Sequence, residues 1–110
     1  MPLYVYRVHT GSVLSYLANN HNQKKYKLHQ TGKVSMSASY FQNNSNLEEV
    51  EFHEYDTVPT LANVSAFSGC PDGFKIIVPQ SLYEEWKAAT NWSTFAAYIY
   101  YRDSNGDLKQ

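Results

Sequence analysis

The densest set of side chains able to do chemistry lies between Glu48 and Asp56, where Glu48, Glu49, Glu51, His53, Glu54 and Asp56 are interleaved with Val50, Phe52 and Tyr55. In a strand, side chains two apart share a face. Glu49, Glu51 and His53 would then project together and could hold a hard or borderline cation. The same spacing turns Val50 and Phe52 inward, which offers a simpler reading: the charged trio is the solvated side of a half-buried strand. Three groups in a row lack a fourth ligand and a partner to orient the imidazole, so the simpler reading is preferred and no metal or other cofactor is assigned.

Other nucleophiles and anion cradles fare no better. The single Cys70 excludes an internal disulfide and a multi-cysteine metal site, and as a nucleophile it would need a pKa lowered by a nearby base or helix start. The serines sit in no Gly-x-Ser-x-Gly elbow. The five glycines form neither a dinucleotide fingerprint nor a phosphate loop. The chain is therefore expected to be non-enzymatic. Lys24-Lys25-Tyr26-Lys27, with His21 and His29 near, could hold phosphates and stack a base. The patch is short, matches no nucleic-acid-binding motif and belongs to a chain of net charge −1. Lysines on an edge strand also block unwanted pairing, and nucleic acid is disfavoured as a partner. Sequons occur at Asn43, Asn63 and Asn91; Asn91 is better explained as a helix stop.

Charge is unevenly spread. Residues 1–47 hold five bases (Arg7, Lys24, Lys25, Lys27, Lys33) and no acid, and the rest holds all ten acids with four bases. Complementary fields steer association, so such polarity suits packing against copies of itself or a charged partner, although two differing solvated faces would look the same. Seventeen aromatic residues, ten of them Tyr, suit a fold with many half-buried positions at edges and interfaces. Met1 to Arg7 shows no basic region followed by an apolar run, and no stretch approaches the roughly 20 apolar residues of a membrane helix. The expected location is a virion or the cytoplasm of the producing cell, with no membrane insertion.

The elements that must position these residues follow from periodicity. At 110 residues the chain is expected to form one domain. Leu3–Val8 alternates as a strand does, Val13–Ala18 has the spacing of a short helix after Thr10-Gly11-Ser12, and Lys24–His29 is a second strand with Tyr26 and Leu28 on one face. Residues 1–33 thus read as a β-α-β opening. Phe41, Asn44, Val50 and Phe52 reappear 26 residues later as Phe67, Cys70, Ile76 and Val78, and one strand per period in the twenties is the signature of a leucine-rich-repeat solenoid. Residues 34–79 then hold two repeat units. Pro79 ends the strand, Ser81 with Glu84 predicts a capping box, and Leu82, Trp86 and Ala89 give a helix with one apolar face within residues 80–99. Trp92, Phe95 and Ile99 extend that stripe. Residues 100–110 read as a terminal strand or tail: Asn105-Gly106 favours the type I′ turn of a short hairpin, a frayed end is the alternative, and a strand Tyr98–Arg102 with a loose end is preferred.

Ala66-Phe67-Ser68-Gly69-Cys70-Pro71, Ile76-Ile77-Val78-Pro79 and Ser81 to Trp92 resemble the last repeat and C-terminal cap of the BspA-like family of leucine-rich repeats. The resemblance covers about residues 64–99, with a looser match over 38–52. It implies a buried structural Cys70 and a fold of class α+β: a short leucine-rich-repeat-like β-solenoid with an N-terminal β-α-β segment and a C-terminal capping helix. Members of that family bind proteins or cell surfaces through the repeat face and are usually long and exported, whereas this chain is short and shows no export signal. The expected function is a protein-binding or assembly module, homo-oligomeric or part of a larger particle, and specifically a structural component of a phage virion such as a tail, head-fibre or decoration protein. The alternative is a bacterial surface or secreted adhesin of the BspA-like type. The candidate interaction surface comprises Lys24, Lys25, Tyr26, Lys27, Glu49, Glu51, His53, Tyr100 and Tyr101.

Overall fold

The computed structural model describes residues 6–13, 24–36, 40–53 and 55–110, with the backbone alone for strand residues 6–13 and 29–35. Strands β1 (Tyr6–Val13), β2 (Lys25–Met36), β3 (Glu49–His53), β4 (Thr60–Leu61), β5 (Lys75–Val78), β6 (Ile99–Arg102) and β7 (Leu108–Lys109) join in one sheet. Its order is β1-β2-β3-β5-β6-β7, with β4 on β2. All pairings are parallel except β6 with β7. Apolar residues at alternate positions fix which face is buried. Tyr26 and Leu28 of β2 register with Val50 and Phe52 of β3, Val50 registers with Ile76, and Ile76 with Ile99. All six of these residues, with Val78, point into the core.

Opposite the inner face lies an aromatic layer carried by turns and short helices. The Phe41 and Phe67 rings stack at 5.0 Å and 12°, and Phe74 continues the stack at 5.0 Å from Phe67. The turns beneath them are tied by backbone bonds, Phe41 N to Ala66 O at 2.9 Å and Asn43 N to Ser68 O at 2.7 Å. Residues 26 apart thus meet both in this layer and in the β3–β5 register. Two indoles close the core: Trp86 packs on Phe52 at 4.9 Å, and Trp92 donates its Nε1–H to Pro59 O at 2.8 Å.

The short solenoid with a β-α-β opening and an end-capping helix is not the fold that forms. The chain makes a single mixed sheet of α+β class. Three features separate it from a stack of equal turns. Strand β2 is twelve residues long and pairs with both β3 and β4, at Lys25–His29 and at Ser35–Met36. The sheet ends in an antiparallel hairpin. Helix α1 (Tyr83–Ala88) has only six residues and lies against Phe52, Tyr55 and Trp92 on the inner side, so it fills the core and does not close an open end. Gly11, Ser12 and Val13, expected to start a helix, lie in β1 (Tyr6–Val13); the start of the expected Leu3–Val8 strand and the rest of that helix, residues 14–18, fall outside the described residues.

Local expectations were corrected in the same way. The Ser81–Glu84 capping box does not form, because the chain enters α1 through a 3₁₀ turn at Gln80–Leu82, where Leu82 N already bonds Pro79 O at 3.0 Å and neither helix start has a side-chain cap. Ser81 therefore sits within a turn instead of ahead of it. Helix α1 ends at Ala88, before Asn91, whose φ of 68° and bond to Leu61 O at 2.7 Å redirect the chain into the 3₁₀ stretch Trp92–Tyr98. The terminal hairpin does form, but Gly106 alone in its loop has positive φ, so the loop is not type I′. The Asp103 carboxylate organises it by accepting from Asn105 N and Asp107 N.

Candidate functional site

Strand parity that buries Val50 and Phe52 also sends Lys25, Lys27, Glu49, Glu51, His53, Lys75, Ile77, Tyr100 and Arg102 to the other, outer face. Cross-strand register arranges them in rows: Lys25 beside Glu49 beside Lys75, and Lys27 beside Glu51 beside Ile77 beside Tyr100. Opposite charges on neighbouring strands attract where like charges would repel. The lysines of β2 therefore find their counterparts in the glutamates of β3, with Lys25 Nζ 3.8 Å from Glu49.

Arg102 ties the face together. Its Nε and a terminal nitrogen both lie 3.3 Å from Glu51 Oε1, a second approach reaches Glu49 at 4.0 Å, and Nη1 donates to Gly106 O at 3.1 Å. Reaching from β6 across β5 to β3, this side chain helps to bury Ile77, which is 1% exposed although it belongs to the outer row. Lys75 Nζ sits 5.7 Å from the centre of the Tyr100 ring, within the range of a cation–π contact. Beyond Arg102, at the C-terminal ends of β3 and β5, an open cavity of about 340 Å³ is lined by Glu51, Phe52, His53, Ile77, Val78, Pro79, Gln80 and Arg102, of which Phe52, Ile77 and Val78 are buried.

The surface expected from sequence is partly assembled here. Lys25, Lys27, Glu49, Glu51, His53 and Tyr100 share the outer face, and exposed Lys24 precedes β2. Tyr26 does not belong to it: the side chain is buried and donates to Asn44 Oδ1 at 2.7 Å. Tyr101 points inward against Tyr83, ring centres 4.7 Å apart. The placement of His21 and the side chain of His29 lie outside the described residues. Lys75, Ile77 and Arg102 were not singled out from sequence; the signal was there in the parity of β5, where Lys75 and Ile77 lie 26 residues after Glu49 and Glu51.

Glu49, Glu51 and His53 do share a side, but Arg102 and Lys25 engage the carboxylates and His53 Nδ1 lies 3.9 Å from Glu51. No group of three His, Cys, Asp or Glu among the described residues is placed to hold a metal ion. Cys70 is half-buried, with its Sγ donating to Phe41 O at 3.3 Å. Burial pushes its thiol up, an effect partly offset by a hydrogen bond with the Asn44 backbone. Of the sequon residues, Asn43 and Asn63 are exposed on turns and Asn91 is half-buried. Among the described residues no helix is long and apolar enough to cross a membrane. No family model, curated protein or solved structure matches the chain.

Proposed function

We propose that this chain is a non-enzymatic protein-binding module that works through the outer face of its sheet, as a subunit of a larger assembly. The observation that carries the reading is the outer face of the parallel sheet, on which no helix lies among the described residues. Such sheets ordinarily have both faces packed, yet among the described residues every helix lies on the inner side. What remains outside is a polar lattice of lysines, glutamates, Tyr100 and Arg102 beside an open cavity, a surface of the polar kind that rims protein interfaces. Cys70 supports the non-enzymatic part, since burial moves its thiol away from the thiolate that nucleophilic chemistry needs.

In its narrower form the proposal makes the chain a structural component of a phage virion. A photoreactive benzoylphenylalanine introduced at Tyr100, with Thr94 as an exposed position off the face, tests both levels in the producing cell. Protein adducts formed at position 100 and not at position 94 are expected. Adducts made with virion proteins would support the narrower form. Equal labelling at both positions, or none at position 100, would remove the reading.

A further inference from the structure

We infer that Asn105 is a self-modifying position: its side chain loses ammonia to attack by the Gly106 amide nitrogen, at a rate governed by opening of the β6–β7 hairpin, and the product releases β7. This goes beyond the protein-binding reading and stands without it.

Sequence and exposure provide the first support. Asn105-Gly106 is the single Asn-Gly pair of the chain. The reaction needs the backbone nitrogen of the next residue to reach the asparagine Cγ, and glycine, with no Cβ, obstructs that approach least. Both residues are exposed, so water reaches them. Other described asparagines are worse placed. Asn44 is fully buried, Asn91 spends its Nδ2 on Leu61 O, and Asn63 precedes the β-branched Val64.

The step balances with water alone. Gly106 N yields its proton to solvent and bonds to Asn105 Cγ; the Cγ–Nδ2 bond breaks, and that nitrogen leaves as ammonia. The five-membered imide takes up one water and opens to aspartate, or to isoaspartate, in which the main chain runs through Cβ and Cγ.

Hydrogen bonds hold the reaction back. Gly106 N donates to Asp103 O at 2.9 Å, so the attacking nitrogen is engaged, while Asn105 N and Asp107 N donate to Asp103 Oδ1 at 2.9 and 3.0 Å. The loop must open before Gly106 N can turn on Asn105. The product does not suit the closed loop. A longer main chain and a further carboxylate enter a turn that already holds Asp103 and Asp107, and β7 resists only through the pairs Tyr101 with Lys109 and Arg102 with Leu108. As the hairpin parts, Arg102 loses its bond to Gly106 O, so the change reaches the outer face.

Peptide mass spectrometry of the full chain incubated at neutral pH tests this, beside a free peptide of residues 101–108. Asn105 in the chain is expected to convert about tenfold or more slowly than in the peptide, the factor that one or two net hydrogen bonds give to a local opening. Asp103→Ala removes the carboxylate that organises the loop and should speed conversion about threefold to tenfold. Hydrogen exchange of residues 99–110 should rise in the converted chain and not in the unconverted one. Circular dichroism establishes that Asp103→Ala is folded, and the comparison of chain with peptide decides independently of that variant. Equal rates in chain and peptide, an unchanged rate in folded Asp103→Ala, or unaltered exchange after conversion would overturn the inference.

Discussion

Asn44 is the most informative single position for the packing that supports the outer face. Its side chain is fully buried, accepts from the Tyr26 hydroxyl at 2.7 Å and donates to Phe41 O at 2.7 Å. One amide thus links β2 to the aromatic layer. Asn44→Ala removes two short buried hydrogen bonds, each with a net value of about 1 kcal/mol. It also takes an acceptor from a Tyr26 hydroxyl that is 1% exposed, which adds about 1–2 kcal/mol. Phe41 O is partly protected, because Cys70 Sγ still donates to it at 3.3 Å. The total is about 3 kcal/mol, a large share of the roughly 5–15 kcal/mol that holds a domain together, and corresponds to a fall in Tm of roughly 12–20 °C. Tyr26→Phe alone should cost about 1 kcal/mol, since it removes the hydroxyl that donates to Asn44 Oδ1. In the double variant neither group is left seeking the other, so the combined loss should fall short of the sum by about 1 kcal/mol or more. Urea denaturation followed by circular dichroism on all four proteins closes the cycle. Additivity within about 0.5 kcal/mol would mean that the two side chains act independently and would refute the linkage.

Three further outcomes follow from the same geometry. Gly69 and Gly73 both have positive φ, 82° and 86°, but a Cβ at Gly69 would collide with Asn43 whereas one at Gly73 meets open space; Gly69→Ala should therefore cost clearly more than the roughly 1–2 kcal/mol expected of Gly73→Ala from backbone strain alone, measured by thermal melts. Tyr55 is 3% exposed and its hydroxyl has no hydrogen-bond partner, so Tyr55→Phe should be neutral or stabilising by about 1 kcal/mol at pH 7. Burial also holds the Tyr55 hydroxyl and the Cys70 thiol above their ordinary values of 10.0 and 9.0; stability is then fully present below pH 9 and falls as pH rises through the range where the unfolded chain releases protons that the folded chain keeps. Urea midpoints between pH 8 and pH 11 test this, and Tyr55→Phe should flatten the decline. Arg102→Gln leaves Glu49 and Glu51 facing each other without their guanidinium and should cost about 1–2 kcal/mol at low salt, with Arg102→Gln/Glu51→Gln recovering part of it; an Arg102→Gln loss that is unchanged by 0.5 M salt would contradict an electrostatic origin.

Much of the sheet was legible because alternation is a local signal. Lys25 to Leu28, Val50 with Phe52, and Ile76 with Val78 declare their inner and outer faces by spacing alone, and the positions of β3, β5 and β6 followed. The period of 26 was legible too, and it reappears in the Phe41–Phe67 stack and the Val50–Ile76 register. Its architectural meaning was not, because a period says which residues neighbour each other and not how long each strand runs. Nothing local shows that β2 extends to Met36 to reach β4, or that β7 returns antiparallel. The capping box failed for a related reason: Ser81 and Glu84 have the required spacing, but Leu82 and Trp86 must both reach the core, and the 3₁₀ entry that seats them places Ser81 inside the turn.

The uneven charge of the sequence acquires a different sense once the strands are in register. Five bases and no acid in residues 1–47 read as a pole of the molecule. In the fold β2 lies directly against β3, the acid-rich strand, so Lys25 meets Glu49 within the same face and Lys27 registers with Glu51. The polarity is to that extent spent inside the molecule, as a means of choosing which strand pairs with which and in what register: a slip of one residue would bring lysines against Val50 and Phe52 and turn the core residues outward. What is left for a partner is smaller and more local. Lys75 and Arg102, contributed by the acid-rich second half of the chain, tip the outer face toward positive charge where the sequence as a whole is slightly negative. A partner selected by that face would be chosen by a few local charges, and the overall charge of either molecule would be a poor guide to which partner that is.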